Sequence, residues 1–186
     1  MSELRWIMRL NQHRAWVNRN LLNCAANLTK EQWFTPLAIG QGSLWKTFTH
    51  MFAAEYVWLS ALRGNEDPLF PGDVAGKLPG NQLGEGAIAN FEELQSRWLA
   101  HEELWQPYLQ SLSVESLEEL VYKKISSSTD GKRLGARRGD ILLHVCTHAH
   151  YTTAQAMNML RQLGVQKLPD VMLILLARSE ENQAKL

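Results

Sequence analysis

A chain of 186 residues with 45% hydrophobic side chains can bury one sizeable core without disulfide staples. Nineteen basic residues balance nineteen acidic ones, and the densest basic stretch holds only four cations, between Lys132 and Arg138, which argues against a nucleic-acid-binding surface. The longest apolar run, Val171 to Ala177, is too short to cross a bilayer, so no membrane role is expected.

The opening residues, Met1 to Trp6, lack the apolar run of a secretory signal. Cys24 and Cys146 lie far apart, inside apolar helical stretches and without CxxC spacing. They read as buried thiols in a reducing compartment, which points to a cytoplasmic protein. Trp6, Trp16, Trp33, Trp45, Trp58, Trp98 and Trp105 all precede residue 106, and suggest a core rich in aromatic rings.

Residues 3 to 27 carry a helical pattern, with Ile7, Leu10, Arg14, Val17, Leu21 and Cys24 recurring at spacings of three and four. Thr29, followed by Glu31 and Gln32, reads as a capped single turn. Pro36 and Gly40-Gln41-Gly42 make a loop, and Ser43 caps a second helix that runs to about Arg63 and stops at Gly64. Residues 65 to 86, with three prolines and five glycines, form a long crossover. A third helix is expected over 87 to 112, with Phe91, Leu94, Trp98, Leu104 and Leu112 turned inward and Pro107 kinking it or ending it early. Thr129-Asp130-Gly131-Lys132 is a turn signal within a mixed extended pattern, so a short hairpin or an irregular loop is expected there. A fourth helix spans about 138 to 163 and ends at Gly164. Pro169 starts a short final helix whose polar tail, from Ser179, frays. The whole, residues 1–186, reads as one all-α domain, a four-helix bundle with a long crossover and a short C-terminal helix.

The chain has six histidines. His144 and His148 are four apart on the fourth helix and share a face. His50 sits mid-way along the second helix among apolar neighbours. A metal needs several neutral imidazoles or carboxylates converging on a point. An i, i+4 pair supplies two of them, and one from a facing helix completes a set with open positions. The bland alternative is a buried histidine hydrogen-bonded to a neighbour, and a His-x-x-x-His pair without an embedded Glu is a weak metal signal. His13 reads as surface or partly buried. His101, between Ala100 and Glu102-Glu103, reads as exposed, and His150 points away from the His148 face.

Several stretches together carry a family pattern. They are Asn11-Gln12 through Trp16-Val17-Asn18, Leu28-Thr29-Lys30-Glu31-Gln32, and Gly42-Ser43-Leu44 through His50. Ala53-Ala54-Glu55 and Trp58-Leu59 follow, then Leu142 through His148, Leu160 through Gly164, and Pro169-Asp170. In order and spacing they resemble the DinB/YfiT-like family. The resemblance implies a DinB-like four-helix bundle, pairing into a homodimer. It further implies a divalent metal, zinc or nickel, held by histidines and acting on a small-molecule thiol in transferase- or hydrolase-type chemistry. It matches His50 and His148 to family metal ligands, but the ligand expected four residues after His148 is Thr152 here. Either His144, one turn earlier, takes its place, making the set His50, His144 and His148, or the metal binds weakly or not at all. The rival reading is a metal-free, non-catalytic bundle that binds a small molecule or a protein partner. Glu55 falls roughly 140° around its helix from His50 and reads as a surface charge more readily than as a group supporting the metal.

Overall fold

The computed structural model describes residues 3–126 and 131–183. The chain is mainly helical. Helices α1 (Glu3–Ala25), α2 (Lys30–Phe34) and α3 (Leu44–Leu62) come first. After the crossover come α4 (Phe91–Glu102), α5 (Trp105–Gln110) and a single 3-10 turn, Glu115–Glu118. Strands β1 (Leu120–Lys124) and β2 (Arg133–Arg137) precede α6 (Arg138–Gln162) and α7 (Leu173–Gln183).

Local chemistry sets most of these boundaries. Thr29 and Gln32 form a reciprocal capping box: the threonine hydroxyl accepts from Gln32 N at 3.3 Å, and Gln32 Oε1 accepts from Thr29 N at 2.9 Å. Ser43 caps α3 by accepting from Lys46 N, and Asn90 caps α4 by accepting from Glu93 N. α3 and α6 end before Gly64 and Gly164, whose φ values of 96° and 85° suit a residue without Cβ.

The expected third helix, 87 to 112, is two helices. Pro107 lacks an N–H for the Glu103 carbonyl and its ring collides with that carbonyl, so the helix breaks there and restarts with the proline in the first turn of α5. The break turns Leu104 outward, to 43% exposure, contrary to the inward position expected for it. The hairpin is formed, β1 pairing antiparallel with β2 so that Val121 opposes Ala136. Of its predicted turn, Thr129 and Asp130 lie outside the described residues. The final helix begins at Leu173 and not at Pro169. It does not fray at Ser179, because Glu180 accepts from Arg9 and Gln12 of α1.

α6 packs along α1 and α3, and α4 closes against α1 and α3. α3 buries residues on all sides, as a central helix must. One apolar cluster gathers Trp33, Phe48, Phe52 and Trp98; a second gathers Leu59, Trp105, Ile141 and Leu142 near the hairpin. Trp98, stacked on Phe52 at 5.6 Å, joins α4 to α3. The aromatic-core expectation holds for Trp33, Trp98 and Trp105 and fails for Trp6, which is 55% exposed. No helix among the described residues is long and apolar enough to cross a membrane.

Candidate functional site

Because α3 and α6 pack side by side, His50 and His148 meet, their Nε2 atoms 3.2 Å apart. His50 Nδ1 lies 2.8 Å from the Pro79 carbonyl oxygen. A carbonyl only accepts, so Nδ1 of His50 carries a proton, and the neutral form of this ring presents a bare Nε2 to which a His148 Nε2–H can donate. Burial, then the neighbouring His50 and His144, pushes the His148 pKa down to about 4, so it is neutral at physiological pH.

The crossover holds His50 in this state. Buried Asp73 accepts from Gly80 N at 2.6 Å and from Gln82 N at 2.9 Å, and Gly80 O accepts from the Thr49 hydroxyl. Gly80 rests on the α3 backbone: a Cβ there would stand 2.5 Å from His50 Cα, at φ 85°. Gly80→Ala is therefore expected to lift the Pro79 carbonyl off His50 and free the ring's tautomer. In nitrogen-edited NMR the His50 ring resonances should change while the Trp98 indole signal stays put; an unchanged His50 would sink the idea. Sequence reading missed this support, since the Pro-Gly pair signals only a turn.

His144 does not join the pair. Its ring centroid is 5.8 Å from that of His148, and its ring meets Trp58 edge-on at 5.3 Å. Thr152 is buried, and its hydroxyl donates to the His148 carbonyl at 2.8 Å, so it is turned onto its own helix. Among the described residues, no group of three or more His, Cys, Asp and Glu side chains stands close enough to hold a metal. Two nitrogens bound to one tetrahedral zinc at ~2.0–2.1 Å stand roughly 3.3 Å apart. The His50–His148 spacing therefore fits two positions of a metal site, with no third His, Cys, Asp or Glu ligand beside them among the described residues.

A second polar centre lies within the helices, and it overturns two expectations. Glu55 is not a surface charge but is 2% exposed. It accepts from Arg14, from Asn18 Nδ2 at 2.8 Å and from Trp98 Nε1 at 3.1 Å. Arg14 also makes a two-pronged pair with Glu102, at 2.8 and 2.6 Å, and its guanidinium lies 4.8 Å from the Trp105 ring centroid. Burial pushes Glu55 up to about 7, against the pull of Arg14, and Glu102 adds to the rise. His101, expected outside, is 6% exposed and packs against Phe52 and Tyr56. The acidic neighbours that made it look exposed sit on other faces of α4.

Burial, then Arg14, holds the His101 pKa down to about 4. An unfolded histidine takes up its proton at ~6.5. The stability that depends on neutral His101 is present above ~6.5 and is lost as pH falls toward 4. His101→Phe is expected to flatten that acid limb by up to about 1.4 kcal/mol per pH unit. Urea melts between pH 4.5 and 6.5 check it, and an unchanged slope would refute it.

The sequence thiols are plain by comparison. Cys146 is buried, its pKa pushed up to about 12 by that burial, so it is a poor nucleophile. Cys24 is partly buried and likewise raised by burial. His13 is part-buried, with Nε2 2.9 Å from the Val171 carbonyl, and His150 is exposed.

A mainly helical chain with a crossover-supported histidine pair between two packed helices defines the class. The chain belongs to the DinB family, whose model matches residues 1–183. A crystal structure of a conserved protein from Enterococcus faecalis is similar in fold, with a TM-score of 0.62 and 16% identity over 90% of this chain and 99% of that one. No curated protein matches the sequence.

Proposed function

We propose that this DinB-family protein is a four-helix bundle that binds a divalent metal, zinc or nickel, through His50 and His148, at a site degenerate in its third ligand. The observation that carries the reading is the 3.2 Å separation of two Nε2 atoms, with the Pro79 carbonyl accepting from Nδ1 of His50 and so leaving Nε2 of the neutral ring free for a metal. Imidazole presented in this way is a good ligand for either metal. His144 is one turn from His148 and reaches the pair only by leaving Trp58. A metal held by these two imidazoles would supply Lewis-acid chemistry, which lowers the pKa of a thiol or water. The substrate class that fits is a small thiol, in transferase- or hydrolase-type chemistry. This chain's own residues bind and orient: Pro79 and Asp73 set His50, and α6 sets His148.

The competing reading, a metal-free bundle, draws on Thr152, whose hydroxyl is engaged with the His148 carbonyl. Elemental analysis of untagged protein, after zinc loading and desalting, separates the two. About one metal per chain, lost in His148→Ala, is the expected result. No metal above the level of His148→Ala would leave the metal-free reading standing.

A further inference from the structure

Two imidazoles on one tetrahedral metal, each bound at ~2.0–2.1 Å, have ring centres roughly 5 Å apart. The His50 and His148 rings are 5.1 Å apart, and the His144 and His148 rings 5.8 Å. His144 is one turn before His148 on α6, so the two side chains share a face. The backbone of His144 is thus in place beside the pair, and only its ring is turned elsewhere.

Trp58 is what the ring is turned to. The two rings meet edge-on at 5.3 Å, an arrangement that attracts beyond the area it buries. Among the described residues no hydrogen bond fixes the His144 ring. His144 is also exposed, so little besides the indole opposes its rotation. Trp58, by contrast, is fixed. It is half-buried and packs against both apolar clusters. Lys123 of β1, 9% exposed, holds its ammonium 5.2 Å from the centre of the Trp58 ring. That ammonium donates to the Lys124 carbonyl at 2.9 Å and to the Ser126 hydroxyl at 2.6 Å. When the contact opens, the histidine is therefore the partner that moves.

With His50 and His148 read as metal ligands, we propose that Trp58 is a positioning residue that keeps a reserve third ligand, His144, off the site, and that His144 leaves Trp58 for the pair when the site fills. A contact made only in the empty state lowers the apparent affinity by the factor with which it favours that state. An aromatic pair of this kind is worth about two- to tenfold. Trp58 thereby weakens the metal site without touching it.

The test is zinc titration of the untagged full chain against a zinc-responsive dye. His144→Ala should weaken zinc at least about tenfold, since an imidazole ligand is lost. Trp58→Leu should tighten zinc about two- to tenfold, the worth of the contact, and should have no such effect in the His144→Ala background. Urea melts confirm that the variants fold. Nitrogen-edited NMR gives a readout that needs no change at Trp58: zinc should shift the assigned Trp58 indole N–H signal in wild type and leave it in place in His144→Ala. Equal zinc affinity in wild type and His144→Ala overturns the inference while the His50–His148 reading stands. Wild type that binds no zinc overturns both. A folded Trp58→Leu that binds zinc no tighter, or that tightens it equally without His144, also overturns the role of Trp58, as does an indole signal that zinc leaves unmoved.

Discussion

Arg14→Met is expected to destabilise the fold by about 3–5 kcal/mol, because it strips a buried carboxylate of its counterion. Methionine keeps much of the side-chain volume, so packing loss is minor and the charge decides. Glu55 is left with only Asn18 and Trp98 to satisfy it. Glu55→Gln in the Arg14→Met background should restore part of the loss, since an amide needs no counterion. The pH sign follows from Glu55. Its folded pKa of about 7 already exceeds the usual carboxylate value, and losing Arg14 raises it further. The folded variant is therefore favoured when Glu55 is protonated. Its deficit against the parent should be larger at pH 8 than at pH 5 by up to about 1.4 kcal/mol, because between about pH 7 and 8 only the parent's Glu55 ionises. Urea melts at those two pH values check this. A deficit below ~1 kcal/mol at pH 8 would mean that water or backbone movement already compensates the triad.

Thr152→His is expected to raise zinc affinity by about 10²–10⁴-fold. A third imidazole replaces solvent as ligand and pre-forms the set. The change has a cost in the apo state. Thr152 is 2% exposed, and forcing a larger ring into a filled position costs typically 1–3 kcal/mol. The variant should therefore melt below the parent without metal and above it with excess zinc, because a ligand that binds only the folded state stabilises it by mass action. Competition against a zinc-responsive dye gives the affinity. Equal zinc affinity in variant and parent would show that position 152 cannot reach the His50–His148 pair, and would remove the case for a lost third ligand.

Periodicity and punctuation carried much of the architecture. The capping box at Thr29, the Ser43 cap and the glycines after α3 and α6 act through neighbours three or four residues away, so a linear reading finds them. The His144/His148 spacing was equally legible, and His50 was matched to a family ligand only through the resemblance. Three features were not. His101 was misread because adjacent carboxylates dominate a linear view, although α4 sends successive side chains to different faces. Glu55 was misread because burying a carboxylate is costly unless an arginine, an asparagine and an indole from other helices meet it. The position of the break before α5 was not fixed, since Pro107 signalled only a kink or an early end and its clash falls on the preceding turn.

The sequence by itself determined that this chain is mainly helical, where most helices start and stop, and that it resembles the DinB family, because these depend on local spacing and on motif order. Only the tertiary structure decided which polar groups meet. It drew His50 to His148 and left His144 beside Trp58. It set Pro79 and Gly80 behind His50, and it gathered Arg14, Glu55 and Glu102 into one buried centre. Such meetings depend on how far each helix is rotated and shifted against its neighbours. Those shifts are set by the packing of the whole apolar core, and no window of neighbouring residues contains them.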